Sequence, residues 1–369
     1  MDPKSVYLSR PWLKFYEPGV PANPEVPLKS VPQAFDEATT LYGAKTALVF
    51  YGREISFREL RDHTDRLAAA LAGFGLKKGD RVGLYLLNSP QFVIAYFAAL
   101  KIGCTVTPIS PVYTSHEVKF QLENSGARVM ICQDILFDKV EKSGAKLDHI
   151  IVTNVSEYLP GLKKFLGKSF LGKIFGDIKV GTPDIPKRSN VHQFQDLLAR
   201  AFVPPPAVDI NPRTDIAALP YTGGTTGNPK GVMLTHYNII SAQVSGRAAF
   251  PGFEEGKEVI MAFLPFFHIY GQVVLMLNGL TQGHTLVLFT TPDTEGILEA
   301  MEKYKATVFY GVPTLYEYLK DHKDTGKVNW KRLKFLVSGA DTLHESTMKE
   351  WTKRTGSSIT EGYGLTETC

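Results

Sequence analysis

The sequence predicts an α/β protein whose parallel sheets are covered by helices on both faces. Short apolar runs alternate with helical periods over residues 47–132, which is the pattern of strands joined by crossover helices. The alternation resumes after residue 209. Of the 369 residues, 44% are hydrophobic and 21% are charged, so the chain can bury a large core, and its length suits two or three domains or subdomains.

The first predicted subdomain spans residues 1–208. Residues 1–32 hold seven prolines, which fix φ and lack a backbone donor, so they predict an extended arm. Ser56 and Glu59 have the spacing of a capping box at the start of a helix that Gly73–Gly75 end. The other elements predicted here are helix Val31–Leu41, strand Ala47–Tyr51, strand Val82–Leu87, helix Pro90–Leu100, strand Thr105–Thr107, helix His116–Asn124 and strand Val129–Cys132.

The second predicted subdomain spans residues 209–369 and follows the stiff linker Pro204–Pro206. Its stretch Val259–Pro292 carries no charge and is long enough for a membrane span. Because Pro265, His268 and Gln272 would be costly in a bilayer core, it instead predicts buried strands and helices. The predicted strands are Ile216–Pro220, Lys257–Phe263, Thr285–Phe289, Ala306–Gly311 and Phe335–Ser338, and the predicted helices are Thr294–Lys303, Thr314–Lys320 and Glu345–Arg354.

A basic insert interrupts the pattern at residues 155–180. Residues 161–180 carry five lysines and one aspartate, a net charge of +4 that equals that of the whole chain. Apolar and aromatic residues alternate with these lysines, so one interpretation is a membrane-surface or lipid-facing insert. The other interpretation is a solvated loop that its aromatic residues pack onto the body of the protein. Both remain open at this point.

Charge and cysteine content exclude several classes of protein. With 41 Lys and Arg against 37 Asp and Glu, the chain is too balanced for one whose main partner is nucleic acid. Cys104, Cys132 and Cys369 are scattered, which excludes a disulfide scaffold and favours a reducing compartment. The histidines show no zinc-binding spacing. The start has no apolar leader, so we expect a cytoplasmic protein, with peripheral membrane contact through residues 155–180.

A glycine-rich string, Tyr221–Gly231, follows the predicted strand Ile216–Pro220 and reads YTGGTTGNPKG. Glycine amides can turn toward an anion, threonine hydroxyls add donors, and Lys230 adds a positive charge. The string is neither a Walker A loop, because Pro229 and Gly231 flank Lys230, nor a GxGxxG turn. This composition suits a polyphosphate site formed by Thr222, Gly223, Gly224, Thr225, Thr226, Gly227 and Lys230. An ordinary surface turn rich in glycine and threonine is the alternative that the composition leaves open.

The whole string resembles the signature loop, YTSGTTGxPKGV, of the AMP-forming adenylating enzymes, which include acyl-CoA synthetases, luciferases and nonribosomal peptide adenylation domains. Gly223 stands where serine is usual, which removes one hydroxyl donor. This variant and the following Met233–His236 are similar to the long-chain fatty acyl-CoA synthetases. The resemblance extends from about Phe35 to Cys369, and it implies two stacked mixed or parallel sheets covered by helices, the large N-terminal domain of that fold.

Two further motifs follow in the order that the resemblance implies. Leu264–Gly271, LPFFHIYG, resembles the family's aromatic–histidine motif, which lines the acyl pocket and implies a role for His268. Gly311–Thr314 is similar to the segment that flanks the same pocket. Gly339 and Ala340 match the strand end on the adenine side.

The second motif, Thr360–Thr368, reads TEGYGLTET and resembles the family's YGxTE motif. The resemblance implies that Tyr363 stacks on adenine, that Thr366 contacts phosphate and that Glu367 holds Mg²⁺, a metal that prefers carboxylate oxygens. The remaining residues expected beside the nucleotide are Glu361, Gly362 and Gly364.

The resemblance implies a two-step reaction that uses ATP, Mg²⁺ and CoA. A fatty acid carboxylate attacks the α-phosphorus of ATP to give an acyl-adenylate and pyrophosphate, and the CoA thiol then displaces AMP. The catalytic residues implied are Thr225, Lys230, His268 and Glu367. No oligomeric state is predicted.

Two elements of the family lie downstream of the YGxTE motif: a ribose-binding aspartate and a small lid domain with a lysine. The sequence stops at Cys369, so we expect both to be absent from this chain and full turnover to be poor. Two alternatives stay open: a noncatalytic module that binds nucleotide or acyl groups, and an aryl or medium-chain acid–CoA ligase. A luciferase-like oxygenase has no support in the sequence.

Overall fold

The computed structural model describes residues 3–161, 184–223 and 228–369, with side chains from Val6 onward. Most of the basic insert and residues 224–227 of the glycine-rich string lie outside the described residues. The described strands, in chain order, are β1 (Thr46–Phe50), β2 (Arg53–Ser56), β3 (Arg81–Tyr85), β4 (Thr105–Pro108), β5 (Ala127–Gln133), β6 (His149–Thr153), β7 (Val191–Gln193), β8 (Ile216–Ala218), β9 (Tyr221–Thr222), β10 (Lys230–Gly231), β11 (Leu234–Thr235), β12 (Val259–Ala262), β13 (Thr285–Leu288), β14 (Val308–Gly311), β15 (Phe335–Ser338) and β16 (Thr360–Glu361).

These strands form two seven-stranded sheets and one two-stranded ribbon. Sheet I has the order β11-β8-β4-β3-β5-β6-β7, and sheet II has the order β16-β15-β14-β12-β13-β1-β2. Neighbouring strands are parallel except at one edge of each sheet, where β11 runs antiparallel to β8 and β2 runs antiparallel to β1. The ribbon pairs β9 with β10. The mixed, mostly parallel α/β architecture predicted from the sequence is confirmed.

Helices connect and cover the strands. In chain order they are α1 (Pro3–Ser9), α2 (Val31–Leu41), α3 (Phe57–Gly73), α4 (Pro90–Lys101), α5 (Ser115–Ser125), α6 (Phe137–Ser143), α7 (Phe194–Leu198), α8 (His236–Ala249), α9 (Asn278–Thr281), α10 (Thr294–Lys303), α11 (Pro313–Asp321) and α12 (Glu345–Thr355). A π-helix, Tyr270–Leu277, leads directly into α9. None of the helices within the described ranges combines the length and the apolar character that a bilayer crossing requires.

Helix α4 lies at the centre of the main core. All of its residues from Pro90 to Leu100 are buried, because it packs against α3 and sheet I and also reaches sheet II. The ring of Phe92 meets the ring of Phe266, which follows β12, at a centroid distance of 5.5 Å. A helix that is apolar all round is the expected solution for an element enclosed on every side.

The two sheets do not divide the chain at residue 208. Strands β1 and β2, from the first half, extend sheet II beside β13, and strands β8 and β11, from the second half, extend sheet I beside β4. Each sheet therefore takes strands from both sides of the predicted subdomain boundary. Sequence order could not show this, because pairing between strands distant in the chain depends on tertiary packing.

Several local predictions differ from the structure in detail. The arm is not wholly extended, since α1 and a helical turn at Pro11–Phe15 form within it. The capping box at α3 is half formed: the Ser56 hydroxyl accepts from the Glu59 amide, whereas the Glu59 carboxylate pairs with Arg53 at 2.7 Å. Elements that the sequence analysis did not predict include α6, β6, α7 and α8. Helix α8 contains Gly246 and a mixture of apolar and polar residues, so its periodicity is weak.

Candidate active site

The β9–β10 ribbon holds the two ends of the glycine-rich string together. Lys230 pairs with Thr222 and Gly231 pairs with Tyr221, so the residues between them form the tip of a hairpin. Gly223 and Lys230 are exposed at its two ends. Gly224, Thr225, Thr226 and Gly227 lie outside the described residues, and their expected contacts with phosphate stay predictions.

The two glycines next to this tip differ in their surroundings. A Cβ atom added at Gly231 would lie 3.0 Å from the ring of Tyr221, whose hydroxyl donates to Oδ1 of Asn124 on α5 at 2.6 Å. That side of the ribbon is therefore closed by an aromatic ring that a hydrogen bond holds to α5. Among the described residues, a Cβ at Gly223 would meet no atom within 4 Å. None of these residues therefore explains why glycine stands here in place of serine.

The aromatic–histidine motif forms a tight turn after β12. A Cβ at Gly271 would lie 2.2 Å from the carbonyl oxygen of Pro265, so only glycine lets the π-helix start this close to the preceding backbone. The Tyr270 amide donates to Nδ1 of His268 at 3.3 Å, which leaves Nε2 as the nitrogen available to a ligand. Although the His268 side chain reaches the surface, desolvation by the surrounding protein lowers its pKa.

A buried asparagine, Asn88, holds this turn from the other sheet. It follows β3, its Nδ2 donates to the Leu264 carbonyl at 2.8 Å, and its Oδ1 accepts from the Phe266 amide at 2.8 Å. The sequence analysis did not single out Asn88. Its position just past the carboxyl end of a predicted parallel strand was the available signal, because that edge is where α/β proteins place their sites.

The carboxyl ends of three neighbouring strands of sheet II meet beside Tyr270. The Tyr270 hydroxyl lies 3.4 Å from the Gly311 carbonyl after β14, and a Cβ at Gly339 after β15 would lie 3.1 Å from its ring. The Gly362 amide after β16 donates to the Ser338 carbonyl at 2.8 Å. The aromatic–histidine, Gly311, Gly339 and YGxTE segments thus converge at one edge, as expected of parallel strands.

Ala340 has a positive φ of +74°, a conformation that an alanine rarely adopts. The residue is exposed directly after β15, and the next residue, Asp341, accepts from the Thr342 amide through Oδ1 at 2.7 Å. The backbone therefore turns sharply at the point predicted to face adenine. Strain of this kind is common where a backbone is shaped around a ligand.

Beyond β16 the chain presents its remaining predicted site residues to solvent. The Tyr363 side chain is 91% exposed, so one aromatic face is free for stacking. Gly364 and Glu367 are exposed and Thr366 is half-buried, with Thr366 and Glu367 in a short helical turn, Thr366–Thr368. Glu361 instead accepts from the Leu343 amide through Oε1 at 2.9 Å, so this carboxylate fixes the loop after β15.

The glycine-rich ribbon and the carboxyl edge of sheet II form separate hydrogen-bonded groups within the described residues. Across the described ranges, no hydrogen bond joins Tyr221–Gly231 to the strand ends of sheet II. The structure therefore brings together the second and third motifs directly and places the first in a separate two-stranded ribbon. No basic side chain of the described residues lies within ion-pair distance of Glu367, so its carboxylate oxygens are open to a metal.

A cavity of about 50 Å³ lies behind the strand edge, between α8 and the π-helix. Its walls include Phe250, Phe253, Val273, Tyr310 and Cys369, and Gln243 and Asn278 also line it. Tyr310 is the neighbour of Gly311, and Val273 belongs to the π-helix that the aromatic–histidine motif starts. The sequence analysis expected these two segments to line an acyl pocket, a role that stays a prediction, and it did not identify α8 as a third wall of this cavity.

One possible metal-binding cluster lies outside the motifs. Ligand atoms of Glu295, His322 and Asp324 approach one another within 4.8 Å. Asp324 pairs with Lys327 at 2.5 Å and Glu295 with Lys323 at 3.7 Å, so both carboxylates already have cationic partners.

Comparison with known proteins agrees with this geometry. The sequence profile of the family described as AMP-binding enzyme matches residues 35–369. A long-chain-fatty-acid–CoA ligase of Bacillus subtilis (strain 168) is 35% identical over 363 residues, which cover 97% of this chain and 63% of that protein. The enzyme of the same name from Salmonella typhimurium (strain LT2) is 34% identical over 370 residues, covering 98% of this chain and 64% of that protein.

The fold is also similar to solved structures. The crystal structure of a long-chain-fatty-acid–CoA ligase from Archaeoglobus fulgidus has a TM-score of 0.75 at 25% identity and covers 95% of this chain and 67% of that one. The chain thus spans somewhat less than two thirds of the length of the two curated relatives above. With the profile matched over the three motifs and both sheets, the chain belongs to the AMP-binding enzyme family.

Proposed function

We propose that the protein activates a long-chain fatty acid with ATP to form an acyl-adenylate and then an acyl-CoA thioester. The observation that carries the proposal is the meeting of Tyr270, Gly311, Gly339 and Gly362 at one strand edge, beside the exposed ring of Tyr363. The relatives in Bacillus subtilis and Salmonella typhimurium are named as long-chain-fatty-acid–CoA ligases, which supports the choice of substrate.

The first step must bring a carboxylate anion to a polyphosphate anion. Positive charge and fixed donors are therefore needed where the two approach. The hairpin supplies the exposed ammonium of Lys230, and Thr222 and the glycine-rich tip supply hydroxyl and amide donors. Holding ATP by its adenine at Tyr363 and by its phosphates at the hairpin would fix the α-phosphorus for attack.

Glu367 and Thr366 fit the demands of Mg²⁺. The metal prefers hard oxygen ligands and keeps several waters, so an exposed carboxylate beside a hydroxyl is a suitable partial shell. When bound with ATP, Mg²⁺ would neutralise phosphate charge and polarise the α-phosphate. The protein's own contribution is to hold the Glu367 carboxylate on a short helical turn at the same edge as Tyr363.

His268 fits an orienting role toward the acyl group. Desolvation lowers its pKa, so the imidazole is neutral at neutral pH and adds no charge to the site. Its Nδ1 accepts from the Tyr270 amide, so the neutral ring carries its proton on Nε2. That N–H can donate to an oxygen of the fatty acid carboxylate.

The cavity of about 50 Å³ between α8 and the π-helix marks where the acyl chain would enter, and the side chains around it must move apart to admit a long chain. The cavity walls are mainly apolar and begin next to Tyr310, the neighbour of the Gly311 strand end. Burying apolar chain there stabilises the complex in proportion to the area removed from water.

ATP–pyrophosphate exchange on the full-length protein tests this function. A panel of saturated fatty acids, medium-chain acids and aryl acids is offered with Mg²⁺ and labelled pyrophosphate. We expect exchange with long-chain fatty acids and little with aryl acids. Exchange confined to aryl or medium-chain acids would contradict the substrate, and binding of an acyl-adenylate analogue without any exchange would identify a noncatalytic module.

We further propose a cytoplasmic protein that contacts membranes through residues 155–180. The three cysteines are free and Cys104 and Cys132 are buried, which suits a reducing compartment. The charge of +4 over residues 161–180 would attract anionic lipid. Flotation of the protein with anionic and with neutral vesicles tests this membrane contact. Equal recovery of the protein with the two kinds of vesicle would contradict the proposal.

A further inference from the structure

The N-terminal arm exposes more large apolar side chains than any other segment of similar length within the described residues. The side chains of Val6, Tyr7, Leu8, Phe15 and Tyr16 are all exposed, and Leu8 and Phe15 each have 77% of their surface open. Single exposed apolar residues are common on proteins, whereas a concentration of them marks an interaction surface.

These side chains belong to a folded unit. The ring centroids of Tyr7 and Trp12 lie 5.4 Å apart, so α1 folds back beside the helical turn Pro11–Phe15. At the bend between them, the Arg10 guanidinium donates through Nη2 to the Ala22 carbonyl at 3.3 Å, which ties the bend to the later part of the arm. The structure therefore keeps the exposed side chains of α1 and of the turn close together.

The charge of the same stretch indicates which partner covers it. Residues 3–16 contain three basic residues and no acidic residue. The Lys14 ammonium lies 4.9 Å from the centroid of the exposed Phe15 ring, so a cation accompanies the apolar surface. A second copy of the arm would carry the same positive charge, and pairing two arms would bring like charges together. An anionic partner is therefore favoured.

The aromatic residues of the stretch narrow the partner further. Four of the fourteen residues from 3 to 16 are aromatic, namely Tyr7, Trp12, Phe15 and Tyr16. Tyrosine and tryptophan favour the boundary between acyl chains and head groups, because each has an apolar ring and a polar tip. Apolar side chains, interfacial aromatic rings and cations in one short segment are together typical of a surface that lies in the interface of an anionic bilayer.

We propose that the N-terminal arm is an interfacial membrane anchor that inserts Leu8 and Phe15 among the acyl chains of an anionic bilayer. Tyr7, Trp12 and Tyr16 then lie at the level of the head groups, and Lys14 meets lipid phosphate. This contact is separate from the one proposed for residues 155–180. The arm supplies apolar insertion and the insert supplies charge, and stable peripheral attachment commonly combines two such signals.

Trp12 reports directly on the contact, because it alone of the three tryptophans is not buried. The 369-residue chain is mixed with vesicles of phosphatidylcholine and phosphatidylglycerol whose acyl chains are either plain or brominated near the head group. Bromine quenches tryptophan only at close range, so we expect brominated vesicles to quench the emission of Trp12 and plain vesicles to shift it to shorter wavelength. Trp12→Phe should abolish this quenching.

A paired variant measures the contribution of the inserted side chains. Leu8→Ser combined with Phe15→Ser should lower the vesicle partition coefficient at least about tenfold, because two apolar side chains no longer leave water on binding. The effect should persist at high salt, which screens the basic insert. The matched control, Leu41→Ser combined with Val112→Ser, changes side chains that are 72% and 81% exposed outside the arm and should leave the partition coefficient unchanged.

The outcomes separate the arm from the insert and from the proposed reaction. Vesicle binding without quenching of Trp12 would overturn the inference and leave the contact through residues 155–180 standing. Equal partition coefficients for the arm variant and its control would also overturn it. If the arm variant does not fold, the quenching of the wild-type protein decides the matter.

Two further results would contradict the anchor. Absence of binding to any vesicle would overturn both membrane contacts. A dimer seen by light scattering, dissociated by the arm variant and not by the control, with no quenching of Trp12, would show that a second copy of the chain covers the arm. Failure of pyrophosphate exchange with dissolved fatty acid would contradict the proposed function alone.

Discussion

Two glycines of the glycine-rich hairpin show how the effect of a substitution depends on the atoms around it. Within the described part of the chain a Cβ at Gly223 has no neighbour within 4 Å, whereas one at Gly231 lies against the Tyr221 ring. We expect Gly223→Ser to change the free energy of unfolding by less than about 0.5 kcal/mol and to bind ATP at least as tightly, because it adds a hydroxyl donor.

Gly231→Ser is the matched comparison in the same ribbon. Its Cβ would lie 3.0 Å from Tyr221, whose ring is fixed by the Asn124 bond, so we expect a loss of about 1–3 kcal/mol. Urea unfolding and calorimetry measure both variants. Equal stability of the two would show that the ribbon adjusts freely.

Lys230 is the full positive charge at the end of the same hairpin. Lys230→Ala should weaken ATP binding by about ten- to a hundredfold, the loss of one charged hydrogen bond or ion pair to phosphate. Calorimetric titration with ATP measures this. Lys146→Ala, which changes an exposed lysine after α6, should leave the Kd unchanged; the same Kd in both variants would argue against a phosphate role for Lys230.

At the scale of elements, Gly271 controls where the π-helix begins. Gly271→Ala would force its Cβ to within 2.2 Å of the Pro265 carbonyl oxygen, and because that atom is backbone, the turn itself must shift. We expect a loss of about 3 kcal/mol or more in unfolding free energy, with reduced adenylation.

Gly73→Ala, at the end of α3, is the control for adding one methyl to a glycine. A Cβ there meets no atom within 4 Å, so we expect a gain of up to about 1 kcal/mol from restricting the unfolded chain. Urea unfolding measures both. A Gly271→Ala protein as stable as the wild type would contradict the backbone contact.

His236 joins two helices and makes stability depend on pH. It is buried at the start of α8, its Nδ1 accepts from the Val31 amide at the start of α2 at 3.2 Å, and burial lowers its pKa to about 4. The unfolded state therefore binds more protons between about pH 6.5 and pH 4, and stability falls as pH falls through this window. From about pH 7 to pH 5 we expect His236 to account for a loss of about 2 kcal/mol.

His236→Asn keeps an acceptor for the Val31 amide but does not titrate. Because burial also lowers the pKa of His284 to about 4, the variant should retain roughly half of the combined pH dependence of the two histidines. Urea unfolding at several pH values checks this. If the unfolding free energy of the variant changed with pH as steeply as that of the wild type, His236 would be excluded as a source of the pH dependence.

At the scale of the whole molecule, Asn88 connects the two sheets at the site. Asn88→Ala would leave the Leu264 carbonyl and the Phe266 amide buried without their partner, so we expect a loss of about 3 kcal/mol. The aromatic–histidine turn should also loosen and raise KM for the fatty acid. Unfolding and exchange kinetics measure the two effects. The control is Asn23→Ala, which changes an exposed residue of the arm. An Asn88→Ala protein with the same unfolding free energy and KM as this control would contradict the role of Asn88 in holding the turn.

The strength of the local apolar period explains why some predicted elements agree with the structure and why others were missed. The bounds of α2, β15 and α10 agree with the predicted segments, because each has a clear apolar period and local start or stop signals. Helix α8 lacks such a period and is held by its packing against the π-helix, α2 and β11. Its existence therefore depends on tertiary packing.

The sequence by itself determined the alternation of strands and helices and the three motifs, because both are carried by neighbouring residues whose spacing sets local conformation and chemistry. Only the tertiary structure decided that β1 and β2 complete sheet II, that β8 and β11 complete sheet I, and that Asn88 holds the aromatic–histidine turn from the other sheet. These features join residues far apart in the chain, such as Leu48 and Leu286, and such pairing arises from the burial of shared apolar surface rather than from any local pattern.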